Sequence, residues 1–359
     1  MKRVGILTSG GDCQGLNAAI RGVAKALYVE FGDKVEIYGI LDGYRGLIQG
    51  EYRLMKSSDF SGILTLGGTI LGTSRQPFKQ MRVPDEKIGD KVEAMKENYK
   101  KMKLDCLVIL GGNGTHKTAN LLSEEGLNVV TLPKTIDNDL WGTEMTFGFY
   151  SALELATEVI DCIHTTATSH GRVFIVEIMG HKVGWLPLYA GVAGGADMIL
   201  LPEIPYKMEN LIKMLDNRDK QGKRFSIIAV AEGAISEEEA KMSKKEFKKA
   251  RAEITDPAIS YKIARELGKA TNREIRVVVP GHFQRGGGPC SYDRAFATRL
   301  GSYAARLISN GNYGNMVALR DGEIVPVPLS EVAGKLKTVP LDCSMIKSAR
   351  DIGISFGDE

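Results

Sequence analysis

Val4-Gly5-Ile6-Leu7-Thr8-Ser9-Gly10-Gly11-Asp12, continued by Gly15 and Leu16-Asn17-Ala18-Ala19-Ile20, is the stretch on which the fold turns. Apolar residues run together without alternating, as in a strand covered on both faces. Two glycines follow, and an amphipathic stretch then predicts a helix over residues 16–31. The same order recurs along the chain. Strands are expected at 35–41, 106–110, 129–132, 173–178, 198–201, 226–231 and 275–279, and helices at 86–102, 147–164, 208–220, 257–271 and 292–309. Buried strands alternating with helices give an α/β protein with mainly parallel sheets and crossover helices. Ligands of such sheets collect beyond the carboxyl ends of the strands, where the glycines of this chain also cluster.

Bulk properties narrow the function. The 359 residues suffice for two domains with cores of their own. A net charge of +3 is too small to argue for nucleic acid or a membrane surface as partner. No apolar run reaches the length of a membrane span, and the chain enters its first strand without a signal-peptide layout. Five scattered cysteines without a CxxC pair suit reduced thiols in the cytoplasm. Residues 236–253, dense in Glu and Lys, read as a solvated helix with i,i+4 pairs rather than an interaction arm. Residues 316–320 and 323–327 around Asp321-Gly322 read as a hairpin.

Four glycine-rich or polar strand ends carry phosphate chemistry. Thr8-Ser9-Gly10-Gly11-Asp12 lets backbone N–H groups approach an anion, and the helix after it adds a favourable dipole. Taken alone it serves equally as a tight turn. Gly111-Gly112-Asn113-Gly114-Thr115 repeats the arrangement after a second strand, and neither loop fits the Walker or dinucleotide pattern. Gly67-Gly68-Thr69 leads to Gly72, Thr73, Ser74 and Arg75, whose guanidinium suits a bidentate grip on phosphate. Pro133-Lys134-Thr135-Ile136-Asp137-Asn138-Asp139 is the most informative. Two carboxylates two residues apart, beside a Lys and a Thr, suit one general base and one metal-binding or charge-positioning group. An Asx-rich turn is the plainer alternative. Farther on, Arg276, His282 and Arg285 flank another glycine-rich strand end, as a sugar phosphate requires. Arg172 and Glu232 at other strand ends are weaker cases, Glu232 as an acceptor from sugar hydroxyls.

In this order the segments resemble the phosphofructokinase family from about Lys2 to about Gly314. The matching pieces are 8–12 with Gly15-Leu16-Asn17, Asp42-Gly43-Tyr44, 67–75, 111–115, 133–139, Met179-Gly180, and 276–294. The last follows the family signature: Arg, four residues, Gly-His-x-Gln-Arg-Gly-Gly, five residues, Asp-Arg. The resemblance implies a glycolytic kinase that transfers the γ-phosphoryl group of ATP to the 1-hydroxyl of fructose 6-phosphate, with Mg²⁺ as cofactor. It implies that Asp137 is the base and Asp139 the second carboxylate, with Arg75 and Gly11 completing the catalytic set. Gly11, Arg75, Gln76, Gly112, Asn113, Gly114 and Thr115 resemble donor contacts, and Asn113 and Asp139 stand at the metal-linked positions. Thr135, Ile136, Asp137, Met179, Gly180, His181, Glu232, His282, Phe283, Gln284 and Arg285 resemble the sugar-phosphate site. Arg172 and Arg276 resemble arginines supplied by a neighbouring subunit, which implies a homodimer or homotetramer with shared active sites.

The chain departs from the family pattern at Asn113, where Asp is usual, and at His181, where many members have Arg. An amide coordinates Mg²⁺ without negative charge, so weaker metal affinity is expected. Donor choice rests on two positions. Gly114 accompanies ATP use, because an Asp there would crowd and repel the α-phosphate; Lys134 occurs in pyrophosphate-using members and in a mixed group that uses ATP. ATP is the expected donor and pyrophosphate the alternative. A catalytically weakened sugar-phosphate-binding paralogue, motivated by Asn113 and His181, is the other alternative. The fold implied is two stacked three-layer αβα domains with the active site in the cleft between them. One is a donor-binding domain of residues 1–147 and about 284–334, the other a sugar-phosphate-binding domain of about 148–283 and 335–359.

Overall fold

A computed structural model describes residues 1–86 and 88–359. Among these the strands are, in chain order, β1 (Lys2–Thr8), β2 (Val35–Ile40), β3 (Tyr52–Met55), β4 (Cys106–Gly111), β5 (Val129–Pro133), β6 (Val173–Ile178), β7 (Met198–Leu200), β8 (Ser226–Ala231), β9 (Ile275–Val278), β10 (Asn315–Arg320) and β11 (Glu323–Pro328). The chain divides into two units, Met1–Ser151 with Arg285–Lys337, and Ala152–Gln284 with Thr338–Glu359.

The first unit holds a seven-stranded sheet in the order β11-β10-β5-β4-β1-β2-β3. Its strands pair in parallel from β10 to β2, while β11 and β3 pair antiparallel at the two edges. Strand order reverses between β1 and β4. The loops leaving the carboxyl ends of β1, β4 and β5 therefore emerge side by side, at the switch point where α/β sheets bind ligands. Every residue of β4 and β5 is buried, which explains their unbroken apolar sequence. On one side the sheet buries Leu7, Leu107, Ile109, Val129 and Met316 against Val92, Met95 and Leu122. The helices Leu16–Phe31 and Ser291–Ser309 approach so closely that a Cβ on Gly22 would lie 2.9 Å from the Thr298 carbonyl, and one on Gly301 2.5 Å from that of Ala19. Only glycine allows that contact.

The second unit holds a four-stranded, wholly parallel sheet in the order β7-β8-β6-β9. Val173, Ile175, Ile228 and Val230 pack there against Leu211, Leu215, Ile263 and Leu267 of the helices Met208–Lys220 and Ile259–Thr271.

Most element expectations hold to within a residue or two, and three are corrected. The helix expected at 86–102 begins at Lys91, because the Asp90 side chain accepts from the N–H groups of Val92 and Glu93 and caps it there; Lys87, within the expected range, lies outside the described residues. The helix expected at 147–164 runs Phe149–His170 and stops only before Gly171, at φ 65°. Residues 236–253 form two helices, Glu237–Ala240 and Lys244–Ala252, because Ser236 with Glu239 and Ser243 with Glu246 each make a capping box. The hairpin is as expected, with Asp321 and Gly322 both at positive φ in its two-residue turn. No helix of the described residues is long and apolar enough to cross a membrane.

Candidate active site

In the first unit, three adjacent strand ends build one polar floor. After β1, Ser9 N–H donates to the Leu110 carbonyl at 2.9 Å and Gly10 N–H to that of Ser74 at 3.0 Å, tying the loop to β4 and to the Arg75 segment. The Thr73 hydroxyl donates to the Gly10 carbonyl at 2.7 Å, and the Ser74 hydroxyl to that of Asp42 at 2.6 Å. Gly11 is surrounded by cations. A Cβ there would lie 3.1 Å from Arg285 Nη1 and 3.6 Å from Arg75 Nη2. Arg285 Nη1 donates to the Asp12 carbonyl at 2.9 Å, and Lys134 Nζ donates to the Gly11 carbonyl. With the Gly11 and Asp12 carbonyls held by cations, the loop presents positive charge to an anion. Lys134 is buried, which lowers its pKa, and the charge of Arg285 lowers it further against the pull of Asp137. Burial pushes the thiol of neighbouring Cys13 up to about 12, so it stays protonated.

After β4, Gly112 starts the helix Asn113–Glu124, and the axis of that helix adds a positive end to the site. The Thr115 hydroxyl is turned to the Ser9 carbonyl at 3.4 Å, and the Thr115 carbonyl accepts from buried Tyr44 at 2.8 Å. A Cβ on Gly114 would meet nothing within 4 Å, so the space above this turn is open. Asn113 Nδ2 donates to the Lys335 carbonyl at 2.5 Å, which leaves Oδ1 as the acceptor atom of the amide. His116 is wholly buried with Nδ1 2.9 Å from the Gly112 carbonyl, and burial lowers its pKa to about 4, so the ring is neutral and Nδ1–H donates.

After β5, the Thr135 hydroxyl accepts from the Asp137 N–H at 3.0 Å and the Thr135 carbonyl from the Thr146 hydroxyl at 2.8 Å. Asn138, at φ 51°, reverses the chain between the two carboxylates. Asp137 is partly exposed, whereas Asp139 is 6% exposed. The Ile136 side chain is fully buried, so only its main chain is available to a substrate. Gln76 is partly exposed beyond Arg75.

Lys337 has no counterpart in the sequence reading. Its ammonium donates to Asn138 Oδ1 at 2.7 Å and to the carbonyls of Thr143 at 2.9 Å and Glu144 at 2.8 Å. Burial lowers its pKa to about 7 against the opposing charges of Asp139 and Glu144. No glycine, motif or charge pattern marks it in the sequence.

In the second unit, most of the remaining candidates follow the carboxyl ends of β6, β8 and β9, while Arg172 and Arg276, expected at such ends, lie at the opposite, amino ends of β6 and β9. Glu232 Oε1 accepts from the N–H groups of Gly180 at 3.2 Å and His181 at 2.6 Å, and Gln284 Oε1 accepts from Met179 N–H at 3.2 Å. His181 sits at φ 54° and lines a cavity of about 410 Å³ with Glu177, Glu232, Arg251 and Asp256. His282 and Phe283 are exposed, with Phe283 N–H donating to the Pro280 carbonyl at 3.1 Å. Arg172 and Arg276 share one carboxylate, that of Glu274, with Arg172 Nε at 2.8 Å.

A metal would find a sparse donor set. The described residues contain no cluster of three or more His, Cys, Asp or Glu side chains placed to hold an ion. The Asp139 carboxylate and Asn113 Oδ1 remain, and so small a set suits Mg²⁺, which keeps several waters and is held by one or two protein oxygens together with substrate phosphates.

Comparison with known proteins gives a consistent result. Residues 3–308 match the family model described as Phosphofructokinase. An ATP-dependent 6-phosphofructokinase of Spirochaeta thermophila is 59% identical, covering 99% of this chain and 97% of its own. One of Propionibacterium freudenreichii is 49% identical, covering 99% of each. The crystal structure of Pichia pastoris phosphofructokinase in the T-state matches with a TM-score of 0.77 and 32% identity over 92% of this chain, which spans about a third (35%) of that longer one.

Proposed function

The chain belongs to the phosphofructokinase family, and on that premise we propose how its residues divide the work of an ATP-dependent 6-phosphofructokinase. The reaction moves the γ-phosphoryl group of ATP to the 1-hydroxyl of fructose 6-phosphate, giving fructose 1,6-bisphosphate and ADP, a step of glycolysis. The bond from the γ-phosphorus to the bridging oxygen breaks, a bond to the sugar oxygen forms, and the hydroxyl proton passes to the Asp137 carboxylate. Positioning and charge neutralisation dominate such transfers. Gly11, Gly112, Gly114 and Thr115 offer the donor an N–H-rich floor, Gln76 lies beside it, and Arg75 stabilises the charge that builds on the transferred group.

Mg²⁺, when bound, neutralises donor oxygens, and Asn113 Oδ1 and Asp139 are the groups that would hold it. Sugar-phosphate binding is assigned to Thr135, the Ile136 main chain and Arg285 in the first unit and to Met179, Gly180, His181, His282, Phe283 and Gln284 in the second. Glu232, with Oε1 engaged by the 179–181 turn, offers Oε2 to a sugar hydroxyl. Arg172 and Arg276 serve a neighbouring subunit in a homodimer or homotetramer. The five free thiols fit a cytoplasmic enzyme.

The observation that supports this reading is that β5, β4 and β1 run side by side and that Lys134, three residues before Asp137, donates to the carbonyl of Gly11, itself beside Arg75 and Arg285. Steady-state assay of the purified chain on fructose 6-phosphate, with ATP and pyrophosphate side by side, tests it. Turnover with ATP is expected, and turnover with pyrophosphate alone would replace the donor assignment. No turnover with either at high Mg²⁺ would leave a sugar-phosphate-binding paralogue.

A further inference from the structure

Residues 335–337 lie past residue 308, where the match to the family model ends, yet they touch two loops of the proposed site. The Lys335 carbonyl accepts from Asn113 Nδ2 at 2.5 Å, at the start of the donor-side helix. Leu336 forms an antiparallel bridge with Leu140. Lys337 N–H donates to the Asp139 carbonyl at 2.9 Å. Its ammonium donates to Asn138 Oδ1, the Thr143 carbonyl and the Glu144 carbonyl, and it also feels the charge of Asp139.

These partners differ in what else holds them. Residues 143–144 are also fixed by the hairpin, through Glu144 N–H to the Leu319 carbonyl at 2.9 Å and Leu319 N–H to the Thr143 hydroxyl at 3.0 Å. Lys337 therefore reinforces the tie between that anchored segment and the side chain of Asn138, the left-handed residue between Asp137 and Asp139, whose Nδ2 reaches the Glu144 carbonyl itself at a longer 3.3 Å. A left-handed non-glycine residue persists where its surroundings over-determine it. The contact at Asn113 has its own chemical logic: an amide donates to the Lys335 carbonyl, whereas a carboxylate would set oxygen against oxygen.

We propose that residues 335–337 form a strap that positions both loops, with Lys337 as the positioning residue for the carboxylate turn. Lys337 acts through Asn138 and touches no substrate. The inference rests on the role proposed for Asp137, and its test has a readout independent of activity.

The test compares wild type, Lys337→Met, Asn138→Gly and the double variant. Glycine keeps the left-handed turn and removes the side chain, both its acceptor for Lys337 and its Nδ2 donor to the Glu144 carbonyl. The measurements are kcat and KM for both substrates, and backbone hydrogen exchange over residues 134–144. In Lys337→Met we expect kcat to fall about tenfold, as for a misplaced reacting group, with both KM values within about threefold. Exchange over 134–144 accelerates while β1 and β4 stay protected. Asn138→Gly lowers kcat at least as much, since it also breaks the Nδ2 bond to the Glu144 carbonyl, and the double variant loses little beyond Asn138→Gly, because the Lys337–Asn138 link is common to both changes. Wild-type kcat in folded Lys337→Met, unchanged exchange over 134–144, or losses that multiply in the double variant would each overturn the strap. Should Lys337→Met fail to fold, Asn138→Gly decides by the same criteria. Should the wild-type chain fail to phosphorylate fructose 6-phosphate with ATP, the functional reading falls, and the exchange comparison still decides the strap.

Discussion

The buried ammonium of Lys134 donates to the carbonyl oxygen of Gly11. Its charge is thus spent partly on holding the loop after β1, a task that serves a long or a short phosphate donor alike. The position proposed to set donor choice is then Gly114, in the first turn of the helix Asn113–Glu124, where an added Cβ would meet nothing within 4 Å. Gly114→Asp is expected to leave the melting temperature nearly unchanged, since an acid at a helix N-terminus is favourable by about 0.3–1 kcal/mol. Its kcat/KM with ATP should fall at least ~10²-fold, because like charges brought together cost several kcal/mol. The rate with pyrophosphate should fall less. Equal loss with both donors in steady-state assays would remove Gly114 as the discriminating position.

Asp137 is the partly exposed member of the carboxylate pair, its N–H held by the Thr135 hydroxyl so that the side chain is set by the turn. Asp137→Asn keeps that turn and removes the proton acceptor. A loss of at least ~10² in kcat is expected from removal of a general base, with fructose 6-phosphate binding by calorimetry little altered. A kcat within a few-fold of wild type would take the role away from Asp137.

Arg172 and Arg276 stand on one carboxylate, Glu274, although they come from the starts of different strands. Guanidinium groups held side by side make a site for one phosphate, here proposed to be a neighbouring subunit's substrate. Inactive Asp137→Asn and inactive Arg276→Ala chains, mixed and allowed to exchange, should recover part of the activity. Demonstrated hybrid oligomers without recovery would rule against sharing.

How much of this was legible beforehand follows from the range of the interactions. β4 and β5 were readable because complete burial on both faces leaves an uninterrupted apolar run. The glycine turns were readable because Gly10 and Gly15 need φ values of 85° and 92°. The charge pairs in 236–253 do not mark the break between its two helices, because the boundaries are set by the serine caps Ser236 and Ser243. Lys337 was invisible for a different reason. Its partners lie at Asn138 and Thr143, far away in sequence, and no local pattern encodes a contact that exists only once β10 and β11 have closed beside β5.

His116 gives a pH test that does not depend on catalysis. Its folded pKa of about 4 lies below the ordinary 6.5, so between those values the unfolded chain holds a proton that the folded chain lacks. Stability therefore rises with pH across that window and falls as the solution is acidified from 6.5 towards 4, with a slope approaching about 1.4 kcal/mol per pH unit. In His116→Gln, whose side chain does not titrate, denaturant unfolding at pH 5 and pH 7 should differ by less than in wild type. Equal pH dependence in the two proteins would mean that position 116 is not the source.

Asn113 separates an active enzyme from a disabled one, and its contact with Lys335 sharpens the test. Asp is nearly isosteric and adds the missing negative charge, so Asn113→Asp should lower the Mg²⁺ concentration for half-maximal rate, by on the order of 1–2 kcal/mol of metal affinity. The same change turns a donor into an acceptor facing the Lys335 carbonyl, and a lost hydrogen bond of this kind costs about 1 kcal/mol. The two effects act on different quantities. Metal affinity is read in a Mg²⁺ titration of the rate, and the loosened helix start in a melting temperature lowered without metal and partly restored with it. Identical Mg²⁺ dependence would show that residue 113 does not address the metal. Activity in Asn113→Asp alone, with none in the natural chain at high Mg²⁺, would show that the amide had disabled the catalyst. An improved Mg²⁺ response together with a lower metal-free melting temperature is the outcome expected here, because the amide proposed to weaken Mg²⁺ binding also fastens the helix start to the Lys335 carbonyl.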